Sequence, residues 1–140
     1  MSVYLDASVI VSIFASDVFT ERARAFATSS RSQLIVGSFA AAEFASALGL
    51  RCRMGTATPT DAKAALGDFD GWRQRFAAMA ELVAEDIRAA DGFLRRLDLN
   101  LRTPDAIHIA MAGRHGAALA TFDDGMAASA RALGIPLAAI

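Results

Sequence analysis

Four acidic side chains, Asp6, Glu43, Asp105 and Asp123, fall where an α/β chain brings distant residues to one edge. Asp6 follows the apolar run Val3-Tyr4-Leu5, which reads as a short buried strand, and Asp123 follows Ala118 to Phe122. In open parallel sheets, ligands bind beyond the carboxyl ends of the strands. Asp105 belongs to Thr103-Pro104-Asp105-Ala106-Ile107-His108-Ile109-Ala110, a sequence that starts a helix. Thr103 suits the cap, Pro104 the first helical position, and Asp105 the first turn, where an anion meets the positive end of the helix dipole and points out of the helix end. A helix between parallel strands runs back across the sheet, so its amino end shares the rim with the strand ends. Glu43 lies about one turn into a helix that follows the second strand. It is the only ionisable group between Arg31 and Arg51, without the polar company of a glutamate on a solvated face.

Carboxylates that share a small cleft repel one another and raise each other's pKa unless a cation neutralises them. An oxygen-only donor set selects Mg²⁺ or Mn²⁺ over zinc, which favours histidine and cysteine. Mg²⁺ keeps several waters and completes its shell with substrate phosphate. The chemistry that suits such a site is phosphodiester hydrolysis: the ion lowers the pKa of a bound water, orients it, and neutralises charge on the phosphate.

The elements that must position these acids alternate. Strands are expected at Val3–Leu5, Gln33–Val36, Ala80–Ala84, Ala118–Phe122 and Pro136–Ala139, the third being weakly strand-like. Helices are expected at Ser8–Ala15, Thr20–Thr28, Phe39–Met54, Glu85–Leu97, Thr103–His115 and Gly125–Leu133. Another begins at Thr58-Pro59-Thr60-Asp61, breaks at Gly67 and Gly71, and resumes through Trp72 and Phe76. The alternation predicts a single-domain α/β fold over residues 1–140, a parallel β-sheet flanked by helices on both faces.

Composition sets the outer bounds. At 140 residues and 54% hydrophobic, the chain builds one well-filled core, and its net charge of −1 points to no particular partner. Lys63 is the only lysine among 14 basic residues; arginine forks onto phosphate, but an alanine-rich chain of this kind carries arginine for coding reasons as well. Cys52 is the only cysteine, which rules out an internal disulfide and a cysteine metal site. No basic n-region precedes the apolar N-terminus, and no run reaches the ~20 residues of a membrane span. A cytoplasmic location without membrane attachment is the expectation.

The quoted residues carry a resemblance to a known family. Leu5-Asp6-Ala7-Ser8, Glu43 in its alanine-rich helix, Thr103 to Ala110, and Ala120-Thr121-Phe122-Asp123 occur in the order expected of a PIN-domain protein of the VapC-like ribonuclease toxin type. No single motif is specific, but the ordered set, spread over nearly the whole length, is strong. The resemblance implies a PIN-like nuclease domain with metal-dependent endoribonuclease activity on RNA. It also implies homodimerisation and inhibition by a small cognate antitoxin, as in a type II toxin–antitoxin system. By this carry-over Asp6, Glu43, Asp105 and Asp123 are the metal-site acids, and Ser8 and Thr121 are supporting hydroxyls that orient carboxylates or water. Asp6 and Asp105 then serve as principal ligands of Mg²⁺, with Mn²⁺ able to substitute, while Glu43 and Asp123 hold water or a second ion.

Several neighbouring signals are weaker. Asp124 adjoins Asp123, and a one-residue shift of the strand end exchanges them; the Thr-x-Asp pattern favours Asp123 and leaves Asp124 as a helix cap. His108, between Ile107 and Ile109, reads as a packed histidine. Asp68-Phe69-Asp70-Gly71 lacks the remaining ligands of a calcium loop and reads as a turn between helices. Arg22, Arg24, Arg51, Arg53, Arg73 and Arg75 are candidate RNA contacts, and Phe69, Trp72 and Phe76 recur at the spacing of a core or dimer seam. The competing reading is a catalytically inactive PIN-like module that binds RNA or protein. A phosphoacceptor receiver domain requires paired acids after its first strand and a late lysine, and neither is present.

Overall fold

The computed structural model describes residues 1–140. Four strands, β1 (Ser2–Leu5), β2 (Gln33–Gly37), β3 (Ala77–Ala80) and β4 (Ala118–Ala120), form one parallel sheet in the order β3-β2-β1-β4. Seven helices surround it: α1 (Ala7–Phe14), α2 (Thr20–Ser29), α3 (Ser38–Arg53), α4 (Pro59–Phe76), α5 (Ala84–Leu94), α6 (Thr103–Arg114) and α7 (Asp124–Ala132). Alternation along the strands splits the core in two, as a pleated backbone requires. Val3, Leu5, Leu34 and Val36 face one side with Val9, Phe44, Leu48 and Phe69 of α1, α3 and α4. Tyr4, Ile35 and Leu119 face the other, against Ile109, Met111 and Ala130 of α6 and α7. The expected fold class holds.

On the first side Phe14 packs its ring against Phe44, Phe69 and Trp72 at centroid distances of 6.1, 5.5 and 5.5 Å. Phe69 is therefore a core residue, Trp72 packs half-buried against it, and Phe76 is exposed. On the second side α5 and α6 are tied by an ion pair. Arg114 forks onto the buried Asp86 through Nε to Oδ1 at 2.7 Å and Nη2 to Oδ2 at 3.0 Å. Burial alone raises a carboxyl; here the Arg114 hydrogen bonds and the Val83 N–H prevail and hold Asp86 below its ordinary range.

The structure corrects four expectations. α4 runs unbroken through Gly67 and Gly71, so Asp68 and Asp70 lie on a helix and not in a turn. Each interior glycine costs about 1 kcal/mol, but Thr58 and Asp61 form a capping box, Pro59 opens the first turn, and Phe69 anchors the middle. β3 occupies Ala77–Ala80, following α4 directly, and not Ala80–Ala84. α5 ends at Leu94, short of the expected Leu97, which adopts the left-handed region at φ 59°. The strand expected at Pro136–Ala139 is reduced to one parallel bridge, Leu119 with Leu137.

Candidate functional site

A sheet of order β3-β2-β1-β4 reverses its winding between β1 and β4, and parallel sheets take their ligands in the crevice at such a switch point. Asp6 and Thr121 border that crevice. The Asp6 N–H donates to the Ala120 carbonyl at 3.1 Å, which extends the β1–β4 pairing by one residue. The Asp6 side chain, 1% exposed, also caps α1. Its Oδ1 accepts from the Ser8 hydroxyl at 2.6 Å and the Val9 N–H at 3.1 Å; Oδ2 accepts from the Thr121 hydroxyl at 2.5 Å. Both hydroxyls also accept a hydrogen bond from the backbone. Ser8 Oγ takes the Phe122 N–H and Thr121 Oγ1 the Asp123 N–H, each at 3.0 Å. Asp6 thus fastens the turn after β4 onto the turn after β1.

All the hydrogen-bond donors around Asp6 are neutral. Burial pushes its carboxyl above the usual range, against the opposing pull of Ser8, Thr121 and the nearby His108. Desolvation is the foremost source of strain in this carboxylate.

Glu43 reaches the rim differently. α3 begins at Ser38 immediately after Gly37 closes β2, and Glu43 stands in its second turn with its side chain 30% exposed. Its Oε2 meets His108 Nε2 in a short contact. His108, fully buried on α6, places its Nδ1 3.1 Å from the Tyr4 hydroxyl of β1. Burial foremost, then the charges of Asp6 and Glu43, drive the Tyr4 phenol pKa far upward, so Tyr4 stays a neutral hydroxyl. Behind it lies Gly37: a Cβ there would overlap the Tyr4 hydroxyl and stand 3.0 Å from Met111 Cε. Sequence reasoning took His108 as a packed residue and missed its contact with Glu43. The available signal was a lone imidazole in the apolar stretch Ala106–Ala112, every residue of which is buried.

Around Asp105 and Asp123 the helix caps differ from those expected. α6 is capped by Arg102, with Thr103 its first helical residue and not its cap. Asp105 therefore turns back onto its own helix start, its Oδ2 accepting the Arg102 N–H at 3.2 Å with Arg102 Nε 3.6 Å away. No hydrogen bond joins it to the other three acids. Asp123 caps α7 by accepting the Met126 N–H at 2.8 Å, and Asp124 is the first helical residue. The capping role expected of Asp124 belongs to Asp123. Of the candidate arginines, Arg22, Arg24 and Arg51 donate to main-chain carbonyls and Arg73 pairs with Asp70.

Hydrogen bonds thus bring together Asp6, Ser8, Thr121 and the backbone of Asp123 on one side, and Glu43, His108 and Tyr4 on the other. No three histidine, cysteine, aspartate or glutamate side chains converge closely enough to hold a metal ion among themselves. The chemistry of the donors nevertheless suits a hard cation. Asp6 is a buried carboxylate without a cationic partner, and its Oδ2 accepts a single hydrogen bond, so it retains lone-pair capacity. Mg²⁺ is characteristically held by one or two carboxylates together with water and substrate phosphate.

Comparison with solved structures gives the same fold at low sequence identity. VapC20 from Mycobacterium tuberculosis, a sarcin-ricin loop cleaving toxin, aligns with a TM-score of 0.73 and 20% identity, covering 91% of this chain and 94% of that one. FitAcB from Neisseria gonorrhoeae gives 0.75 and 15% over 96% and 95%, respectively. VapBC2 from Rickettsia felis, bound to a DNA fragment from their promoter, gives 0.70 and 14% over 99% and 98%. Among curated proteins, none matches the sequence at a significant level. The PIN domain model, in contrast, matches residues 3–132. That match runs from β1 to the end of α7 and spans Asp6, Glu43, Asp105 and Asp123, and the chain belongs to the PIN-domain family.

Proposed function

We propose that this chain is a metal-dependent endoribonuclease that hydrolyses RNA phosphodiester bonds as the toxin of a toxin–antitoxin pair. The observation that carries the reading is Asp6: a buried carboxylate at the switch point, cradled by hydroxyls and left without a salt-bridge partner. Asp6 would hold Mg²⁺, or Mn²⁺ in its place, with Glu43, Asp105 and Asp123 completing the site through water or direct contact. When bound, the ion supplies an activated water and charge neutralisation at the scissile phosphate. Ser8 and Thr121 fix the Asp6 carboxylate, and Asp123 follows Thr121 on the same turn.

Membership of the PIN-domain family supports the nuclease assignment, and VapC20, described as a toxin that cleaves the sarcin-ricin loop, supports RNA as the substrate class. The neighbours solved as VapBC2 and FitAcB support an antitoxin as partner. Assembly as a homodimer in the cytoplasm completes the proposal; no helix is long and apolar enough to cross a membrane. The second reading, a catalytically inactive binding module, draws on one specific fact: each of the four acids already has a hydrogen-bond partner within the fold, and no three converge. Incubation of the purified chain with single-stranded RNA separates the two. The nuclease cleaves with Mg²⁺ or Mn²⁺, stops with chelator, and is silenced by Asp6→Asn. Cleavage that persists in chelator, or none with either ion, rejects the proposal.

A further inference from the structure

A glutamate side chain has three rotatable torsions, and freezing it costs conformational entropy. Glu43 makes no hydrogen bond within its own helix, where every other side chain from Ser38 to Leu50 is uncharged. Its single protein partner is His108, 65 residues away on α6. The imidazole is itself immobile. It is fully buried, tilted against Phe39 at a centroid distance of 5.2 Å, and bonded through Nδ1 to Tyr4. Tyr4 is held in turn by complete burial and by Gly37, whose lack of a side chain makes room for the phenol oxygen. Both ring nitrogens are thus engaged, Nδ1 with the Tyr4 hydroxyl and Nε2 with Glu43 Oε2. Oε1 keeps no protein partner and is the oxygen available to a cation or its water.

We infer that His108 is a positioning residue, which together with Tyr4 fixes the Glu43 carboxylate over the crevice and so sets the affinity of the site for a divalent cation. The inference rests on the nuclease reading above. Hydrogen bonds of this kind, from residues behind the ligating groups, are typically worth about 10–100-fold in metal affinity. Glu43 accordingly acts as a preset donor and not as one recruited from a mobile population.

The test is Mn²⁺ binding to the metal-free chain, read from the loss of the free-ion paramagnetic resonance signal. His108→Leu is expected to weaken binding about tenfold or more. His108→Gln, which returns an amide N–H near the Nε2 position, restores most of the affinity. In a Glu43→Ala background His108→Leu has no further effect, because the group it positions is gone. A folded His108→Leu chain that binds Mn²⁺ like wild type, or that loses the same factor in the Glu43→Ala background, overturns the inference. Should His108→Leu not fold, Tyr4→Phe removes one oxygen only; it weakens binding if the inference holds and leaves it unchanged if it does not. Wild type that binds no Mn²⁺ defeats the nuclease reading along with this one, whereas wild-type binding with indifferent variants defeats the positioning role alone.

Discussion

The bond between Arg114 and Asp86 gives a prediction whose size and pH dependence both follow from geometry. Arg114→Met keeps the apolar stem and removes the guanidinium, leaving Asp86, 1% exposed, with a single donor, the Val83 N–H at 3.0 Å. The Glu81 carbonyl, which accepts from Arg114 at 2.8 Å, loses a partner too. Breaking a buried pair by removing one member costs about 3–5 kcal/mol. The Arg114 side chain is 30% exposed, so water reaches the gap and the low end applies, about 3 kcal/mol. For a domain of this size that lowers Tm by roughly 10 °C. The sign with pH is fixed as well. In wild type the folded-state pKa of Asp86 is depressed, so its contribution is complete above the unfolded value of about 3.9 and is lost as pH falls through the folded one. In the variant, burial without a partner raises the folded pKa, so acid protonates the unpaired carboxylate and relieves the folded state. The gap in Tm between the two proteins must narrow between pH 7 and pH 3. Thermal melts across that range check it, and Asp86→Asn/Arg114→Met should recover much of the loss at neutral pH. A gap that stays constant with pH, or a loss of only a degree or two, refutes the account of this pair. The same bond anchors α6, which carries both Asp105 and His108, so RNA cleavage by the variant should fall faster with temperature than that of wild type.

Three other outcomes are expected. Asp6→Asn abolishes metal-dependent cleavage, and in the presence of chelator it raises Tm at neutral pH, because it removes a buried anion whose charge burial disfavours; a fall in Tm there contradicts the desolvation argument. Gly37→Ala drives a methyl into the Tyr4 hydroxyl and towards Met111, costs about 1–3 kcal/mol by overpacking, and lowers Mn²⁺ affinity through the displaced Tyr4, as melts and metal titration would show together. Gly67→Ala, at a helical site where a Cβ meets no atom within 4 Å, stabilises the chain by about 0.5–1 kcal/mol in urea denaturation.

The rim itself was legible in the sequence because strand and helix ends write local signals. Apolar runs stop at Asp6 and Thr121-Phe122-Asp123, and Pro104 marks a helix start, so three of the acids could be placed without knowing any long-range contact. The finer placement failed where two residues compete for one role. Thr103 and Arg102 both precede Pro104, and the cap went to Arg102 because Asp105 at the third helical position reaches its N–H. Asp123 and Asp124 compete likewise, and Asp123 both follows Thr121 and caps α7. The Tyr4–His108–Glu43 chain was not legible, since its members come from a strand and two helices and meet only after the sheet has formed. α4 misled for the opposite reason. Its glycines are real weak points locally, and only the packing of Phe69 and Trp72 beneath Phe14 carries the helix across them.

The bridge between Leu119 and Leu137 gives the sheet two unlike borders. On the β4 side the Leu119 N–H donates to Pro136 at 2.8 Å and its carbonyl accepts from Ala138 at 2.9 Å, so the middle of that strand has no free backbone valence left. β3, at the opposite border, has hydrogen-bonded only towards β2. A foreign extended segment seeking to lengthen this sheet would therefore find one margin already sealed by the chain's own backbone. It would find the other open for only the four residues Ala77–Ala80, too brief a template for runaway stacking.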